Sequence, residues 1–225
     1  MNKTYNVLII DDHQIIINAF KNALALVEKD SENIKFKIDE AKCCQSAFEK
    51  IRCASKSKDI DLFFLDLSLP PSPTDGMFSG EDLGVAILKY FPDAKIIVCT
   101  SYNDNLRLNN IIKTINPNSL LVKGDIDSKD IIKSIKDTLD NQISYSQTVL
   151  DFLRNKVSSP VVLCDYDIQI LYEISNGARM KDLVKLIPLS KAAIEKRKRK
   201  IKLLFNIDDD SDRKLILAAR EKGFI

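Results

Sequence analysis

No stretch of this 225-residue sequence approaches the ~20 consecutive apolar residues that a membrane-spanning helix needs. Nor does its start carry the layout of a signal peptide; it runs straight into a strand pattern. Histidine occurs once, at position 13, and the five cysteines (43, 44, 53, 99 and 164) lack the paired spacing of zinc ligands or of a disulfide framework. No internal repeat or low-complexity tract is present. These absences argue against a membrane span, a secreted disulfide scaffold and a structural zinc site. They predict reduced thiols and a cytoplasmic protein.

What is present is the composition of a soluble globular chain, 45% hydrophobic and 29% charged. The length suits one large domain or two ordinary ones. The formal net charge of +2 divides unevenly. From residue 160 onward there are 14 Lys/Arg against 10 Asp/Glu, a net +4, whereas the preceding residues hold 20 against 22, a net −2. Such a split predicts two jobs, one of them directed at an anionic polymer.

The first half alternates between two periodicities. Short runs rich in Ile, Val, Leu and Phe, "VLII" (7–10), "DLFFLD" (61–66), "KIIVC" (95–99) and "SLLV" (119–122), read as parallel strands buried on both faces. "KFKID" (35–39) alternates polar with apolar, as a strand at a sheet edge does. Helical patterns lie between them at 14–29, 81–91, 106–115 and 129–141, and Ser79 with Asp82 has capping-box spacing. Five strands alternating with helical stretches predict a doubly wound parallel α/β sheet over residues 1–140. A polar linker, 141–159 and partly helical, follows. Residues 160–225 then show only helical patterns, at 165–175, 180–187, 191–205 and 212–222, with Asn176-Gly177 as a stop and Ser190 and Ser211 as caps.

In an open parallel sheet, ligands sit beyond the carboxyl ends of the strands, where the strand order reverses. Here those ends carry Asp11-Asp12, Asp66, Thr100-Ser101 and Lys123-Gly124. Taken singly, each has a plainer reading: Asp12 as a helix cap, Asp66 as a turn residue, Thr100 as a strand former, Lys123 as a solvated lysine. Taken together, they bring three carboxylates, a hydroxyl and an ammonium to one rim. Three carboxylates repel, and some would take up protons unless a cation sat among them. Hard oxygen ligands with room for water favour Mg2+. An ionised Asp66 can then act as a nucleophile towards phosphorus and form an acyl phosphate. Lys123 and Thr100 would stabilise the phosphoryl oxygens, which is most of what phosphoryl transfer requires.

This pattern resembles the receiver domain of two-component response regulators. The motifs are the acidic pair in "LIIDDH", Asp66 in "FLDLSLP" with Pro70 four residues on, Thr100 in "VCTS" and Lys123 in "LVKGD". The resemblance implies a flavodoxin-like fold and a sensor histidine kinase as phosphoryl donor. It also implies Mg2+ ligation by Asp12, Asp66 and the backbone carbonyl of Ser68, with Asp11 acting through water. Such a protein accepts a phosphoryl group without being a turnover enzyme. Two features depart from the family: the loop between Pro70 and Gly80 is long, and Leu120 stands where an aromatic switch residue is usual. His13 reads as a helix-start residue. A pseudo-receiver acting by protein contact, without phosphorylation, is the alternative these departures leave open. A haloacid dehalogenase-type enzyme is a further one, although Ser68 stands where its second acid belongs.

Residues 191–202, "KAAIEKRKRKIK", hold seven basic side chains and one acid. A short helix, the turn "IPLS" and this basic helix have the layout of a helix-turn-helix, whose second helix can enter a major groove. The tail resembles the LuxR-type (NarL/FixJ-like) DNA-binding domain, with Ile194 and Ile201 as core anchors. Arg197 stands where that family usually has an imidazole or aromatic. By position, Glu195, Lys196 and Arg199 face base edges, while Lys191, Arg197 and Lys200 meet phosphates. Lys198 shares the stripe of Ile194 and Ile201, so its stem should lie along the core edge with the ammonium in water. The expectation is a two-domain transcription factor that binds double-stranded DNA and pairs as a homodimer when phosphorylated. Binding of RNA or a protein by the tail is the competing possibility.

Overall fold

The runs read as doubly buried strands form the centre of a parallel sheet. The computed structural model describes residues 3–31, 33–57, 59–70, 79–158, 161–208 and 211–225. In chain order, β1 (Lys3–Ile10), α1 (Gln14–Asp30), β2 (Ile34–Ala41), α2 (Cys44–Ala54), β3 (Leu62–Leu65), α3 (Gly80–Tyr90), β4 (Lys95–Thr100), α4 (Asn105–Thr114), β5 (Ser119–Val122) and α5 (Ser128–Leu139) alternate as expected. The chain continues through β6 (Ser144–Tyr145) and α6 (Gln147–Ser158) to α7 (Asp165–Ser175), α8 (Met180–Leu186), α9 (Lys191–Leu204) and α10 (Asp212–Glu221). The residues of the long loop, 71–78, lie outside those described. Two compact units emerge, one of residues 1–103 and 110–150 and the other of 104–109 and 151–225.

The sheet order is β2-β1-β3-β4-β5-β6, all neighbours parallel. β2 lies at the edge, and its alternating exposure explains its alternating sequence. Alternate residues of β1, Tyr5, Val7 and Ile9, pack with Ile17, Phe20 and Leu24 of α1 and Ile135 of α5. Leu8 and Ile10 are buried on the opposite face, so residues 7–10 have no polar side and their apolar run is continuous. Ser79 caps α3 in the expected box: its hydroxyl accepts from Asp82 N, and Asp82 accepts from Ser79 N.

The expected five strands become six. β6 arises inside the polar stretch 141–147, which carries no apolar run to announce it. Its residues pair with Ser119 and Leu120, and hydrogen bonds from Ser144 N to Asn118 O (3.1 Å) and from Ser146 N to Leu120 O (3.0 Å) complete the junction. The Ser146 hydroxyl accepts from Val122 N, and both carboxylate oxygens of Asp125 hold Thr148 at the start of α6. The stretch expected as a partly helical linker thus contains a strand and a helix.

The C-terminal unit buries two small apolar clusters. Leu171, Ile201 and Leu215 centre one, while Ile170, Leu183, Ile187 and Ile194 form the other. Ile194 and Ile201 are therefore both anchors of α9, one in each cluster. Gly177 has φ of 88°, a left-handed conformation that suits glycine, and its N–H bonds to Ile174 O to end α7. The Ser190 hydroxyl caps α9 by accepting from Ala193 N; Ser211 occupies the N-cap of α10 without a side-chain cap bond.

Candidate functional site

The strand order reverses between β1 and β3, which is where such sheets bind ligands. Register sets the site. Ile10 pairs with Leu65, so the next residues, Asp11 and Asp66, emerge side by side; Asp66 N also bonds to Ile10 O. Thr100 ends β4 beside Val122 of β5, and Lys123 N bonds to Thr100 O. Lys123 then reaches back across the strand ends. Its Nζ lies 2.7 Å from Asp66 Oδ2 and 2.9 Å from Asp11 Oδ2.

Both carboxylates are buried, Asp11 at 1% exposure and Asp66 at 2%. Their other oxygens accept backbone N–H groups, Asp66 Oδ1 from Ser68 and Asp11 Oδ1 from His13. Burial alone would pull the Lys123 ammonium below its ordinary range, but its hydrogen bonds to Asp66 and Asp11 prevail and raise it. Asp12 faces solvent, with His13 Nδ1 2.7 Å from its Oδ1. Thr100 is buried, and its hydroxyl accepts from Tyr102 N at 3.1 Å. Among the described residues, Cys99 lies buried behind the site, and that burial pushes its thiol up to about 12.

One ligand atom from each of Asp11, Asp12, His13 and Asp66 lies within 4.8 Å of all the others, close enough to converge on a single ion. The three carboxylates are hard oxygen donors of the kind Mg2+ accepts, and the Ser68 hydroxyl, two residues after Asp66, is a buried oxygen without a hydrogen-bond partner among the described residues. The residues present therefore fit a small divalent cation. Two contributors were not expected from the residues alone. His13 does stand at the N-cap of α1, as its helix-start reading implies, yet its imidazole also joins the cluster. Gly80 opens α3 so tightly against the acceptor loop that a Cβ there would lie 2.5 Å from Leu67 Cα and 2.6 Å from Asp66 O. Its neighbours in sequence gave no sign of that approach.

On the C-terminal unit, Lys191, Lys196, Arg199 and Lys200 of α9 are exposed and Glu195 is half-buried, with its carboxylate 3.9 Å from Lys191 Nζ. Arg197 and Lys198 are engaged within the unit. Arg197 Nη1 donates to Asp167 Oδ1 and to Cys164 Sγ, both at 2.9 Å, and the guanidinium lies over the Tyr166 ring. Asp167, fully buried, also accepts from Cys164 N. Burial pushes its carboxyl up, but the Cys164 and Arg197 hydrogen bonds outweigh that and hold it below the usual aspartate range. Lys198 Nζ donates to Asp212 Oδ2 at 3.0 Å. The expected ammonium in water is thus corrected to an ion pair, because α10 brings an acid to the end of the lysine stem.

A model of the response regulator receiver domain matches residues 7–136, more than half of the chain, which therefore belongs to the response regulator receiver family. Several solved structures of the regulator RcsB share its fold over nearly the whole length. RcsB from Salmonella enterica serovar Typhimurium, bound to a promoter in the presence of phosphomimetic BeF3-, is 18% identical, with 96% of this chain and 98% of that one covered and a TM-score of 0.61. An RcsB–DNA complex is 20% identical over 97% of this chain and 98% of that one, with a TM-score of 0.60. No curated protein sequence matches the chain. Among the described residues, no helix is long and apolar enough to cross a membrane.

Proposed function

We propose that this response regulator accepts a phosphoryl group on Asp66 from a sensor histidine kinase and controls transcription through its C-terminal helices. The observation that carries the first half is the Lys123 ammonium held between buried Asp11 and Asp66 at the sheet's switch point. One Asp66 oxygen attacks phosphorus while the bond to the donor's leaving atom breaks, and the product is an acyl phosphate. Asp11, Asp12, Asp66 and the Ser68 carbonyl would hold Mg2+, which supplies positive charge to the transferring oxygens. Lys123, already 2.7 Å from the acceptor carboxylate, offsets negative charge on the same oxygens. Thr100, buried at the end of the neighbouring strand, would donate its hydroxyl proton once the group arrives.

The second half rests on α9. Its exposed Lys196, Arg199 and Lys200 follow one another at helical spacing, and the RcsB structures with the same fold include DNA complexes. Arg199 and Lys196, with Glu195, would read base edges in a major groove, while Lys191 and Lys200 meet phosphates. Arg197, held by Asp167 and Cys164, drops out of the phosphate contacts. Phosphorylation shifts a pre-existing equilibrium, pairing two chains so that two helices read two half-sites.

Incubation with acetyl phosphate and Mg2+, read by intact mass, tests the acceptor. The wild type should gain one phosphoryl group and Asp66→Asn none. Equal labelling of both would overturn the assignment.

A further inference from the structure

The seven cations of α9 are not equivalent. At 3.6 residues per turn, Lys196, Arg199 and Lys200 project away from the stripe of Ile194 and Ile201, and all three are exposed. Arg197 and Lys198 flank that stripe and are only partly exposed, their side chains at 31% and 17%. Each meets an acid from a different helix: Asp167 of α7 for Arg197, and Asp212 of α10 for Lys198.

We infer that Asp167, seconded by Asp212, is a specificity-determining residue: it withholds a recognition-helix cation from the DNA backbone and so restrains sequence-independent binding. This rests on the DNA-binding reading above. The physical reason is a difference in screening. Asp167 is fully buried, so its attraction for the guanidinium is weakened little by water, whereas a phosphate on the duplex surface sits among solvent and counterions. Cys164 Sγ and the Tyr166 ring fix the guanidinium from other sides. A swing of Arg197 to a phosphate would strand a desolvated carboxylate, so the pair persists when DNA arrives.

The consequence concerns discrimination. Phosphate contacts raise affinity for every duplex alike and carry no base information. A helix that offered all seven cations would bind any sequence tightly. Engaging two of them internally lowers that background and leaves contacts through Lys196 and Arg199 as the larger share of the difference between targets.

The test uses the full chain and a short duplex of mixed sequence, with affinity followed by fluorescence anisotropy across a salt series. Asp167→Asn should bind more tightly than wild type at low salt, with a slope of log K against log salt steeper by about 0.9, the increment for one added phosphate contact. Arg197→Gln should leave the slope at the wild-type value, and the double variant should return to it. Asp212→Asn, on a half-exposed partner, should steepen the slope in the same way by freeing Lys198 and remains informative if Asp167→Asn fails to fold. A slope that flattens by about 0.9 in Arg197→Gln would overturn the inference, since Arg197 would then already touch phosphate. So would an unchanged slope in folded Asp167→Asn and in Asp212→Asn. Wild-type protein that binds no duplex at any salt would sink the DNA reading itself, a separate outcome from wild-type binding with indifferent variants.

Discussion

At the sheet rim a single ammonium, Lys123, lies between two buried carboxylates, with a third acid and an imidazole alongside. On the C-terminal unit a single buried carboxylate, Asp167, grips one guanidinium of a helix crowded with cations. Both arrangements place one charge among several of the opposite sign, yet they end differently. Asp167 has both oxygens occupied, one by Arg197 and one by the Cys164 amide, and nothing further is wanted. The rim keeps an excess of negative charge after Lys123 has been counted, and part of it faces solvent through Asp12. A saturated cluster of this kind works as a strut; an unsaturated one is a place where a cation and an anionic group can still arrive.

The largest effect that sharpens this contrast should come from Lys123→Met. Removing the ammonium leaves Asp11 and Asp66 buried beside each other, at a cost of about 3 kcal/mol to the receiver, measured by urea unfolding in chelator. Added Mg2+ should recover part of the loss in this variant, and no such recovery is expected for substitutions at Asp167. Next comes Gly80→Ala, whose methyl group would press on Asp66 O and Leu67 Cα. It should lower stability by about 2 kcal/mol and slow labelling by acetyl phosphate, because the acceptor loop must move.

Arg197→Met should lower the stability of the C-terminal unit by about 2 kcal/mol at neutral pH, since it takes a partner from a buried carboxylate. The pH dependence has a definite sign. Asp167 is held below its usual range in the folded state, so the pair's contribution is fully present above about pH 3.9 and is lost as pH falls through the lowered value. The gap between wild type and variant should therefore close in acid, which thermal melts at a series of pH values would show; a gap independent of pH would break the account of the strut. The smallest effect is Ser190→Ala, which removes the cap of α9 and should cost about 1 kcal/mol in the same melts without altering phosphorylation at Asp66.

The central strands were legible because burial on both faces writes itself as an unbroken apolar run, as in Leu62–Leu65. The rim followed from them, since parallel register carries whatever follows each strand to one edge. β6 was not legible. Its two residues are held by backbone pairing and by the Ser146 hydroxyl, neither of which needs an apolar side chain. The basic helix could be read as a run of charge, but its internal division could not. Which lysine or arginine meets an acid depends on α7 and α10, up to 30 residues away in the chain, and only packing brings Asp167 under Arg197.

The short strand that follows α5 has a practical meaning for anyone cutting this chain. A receiver fragment ended at residue 140 would strip β5 of its outer neighbour, take away the Ser146 oxygen on Val122, and leave Asp125 with no helix start to grasp. That bare flank of unpaired amides and carbonyls, one residue from Lys123, would invite other chains to add themselves to it. Fragments carried through Leu150 keep the flank covered.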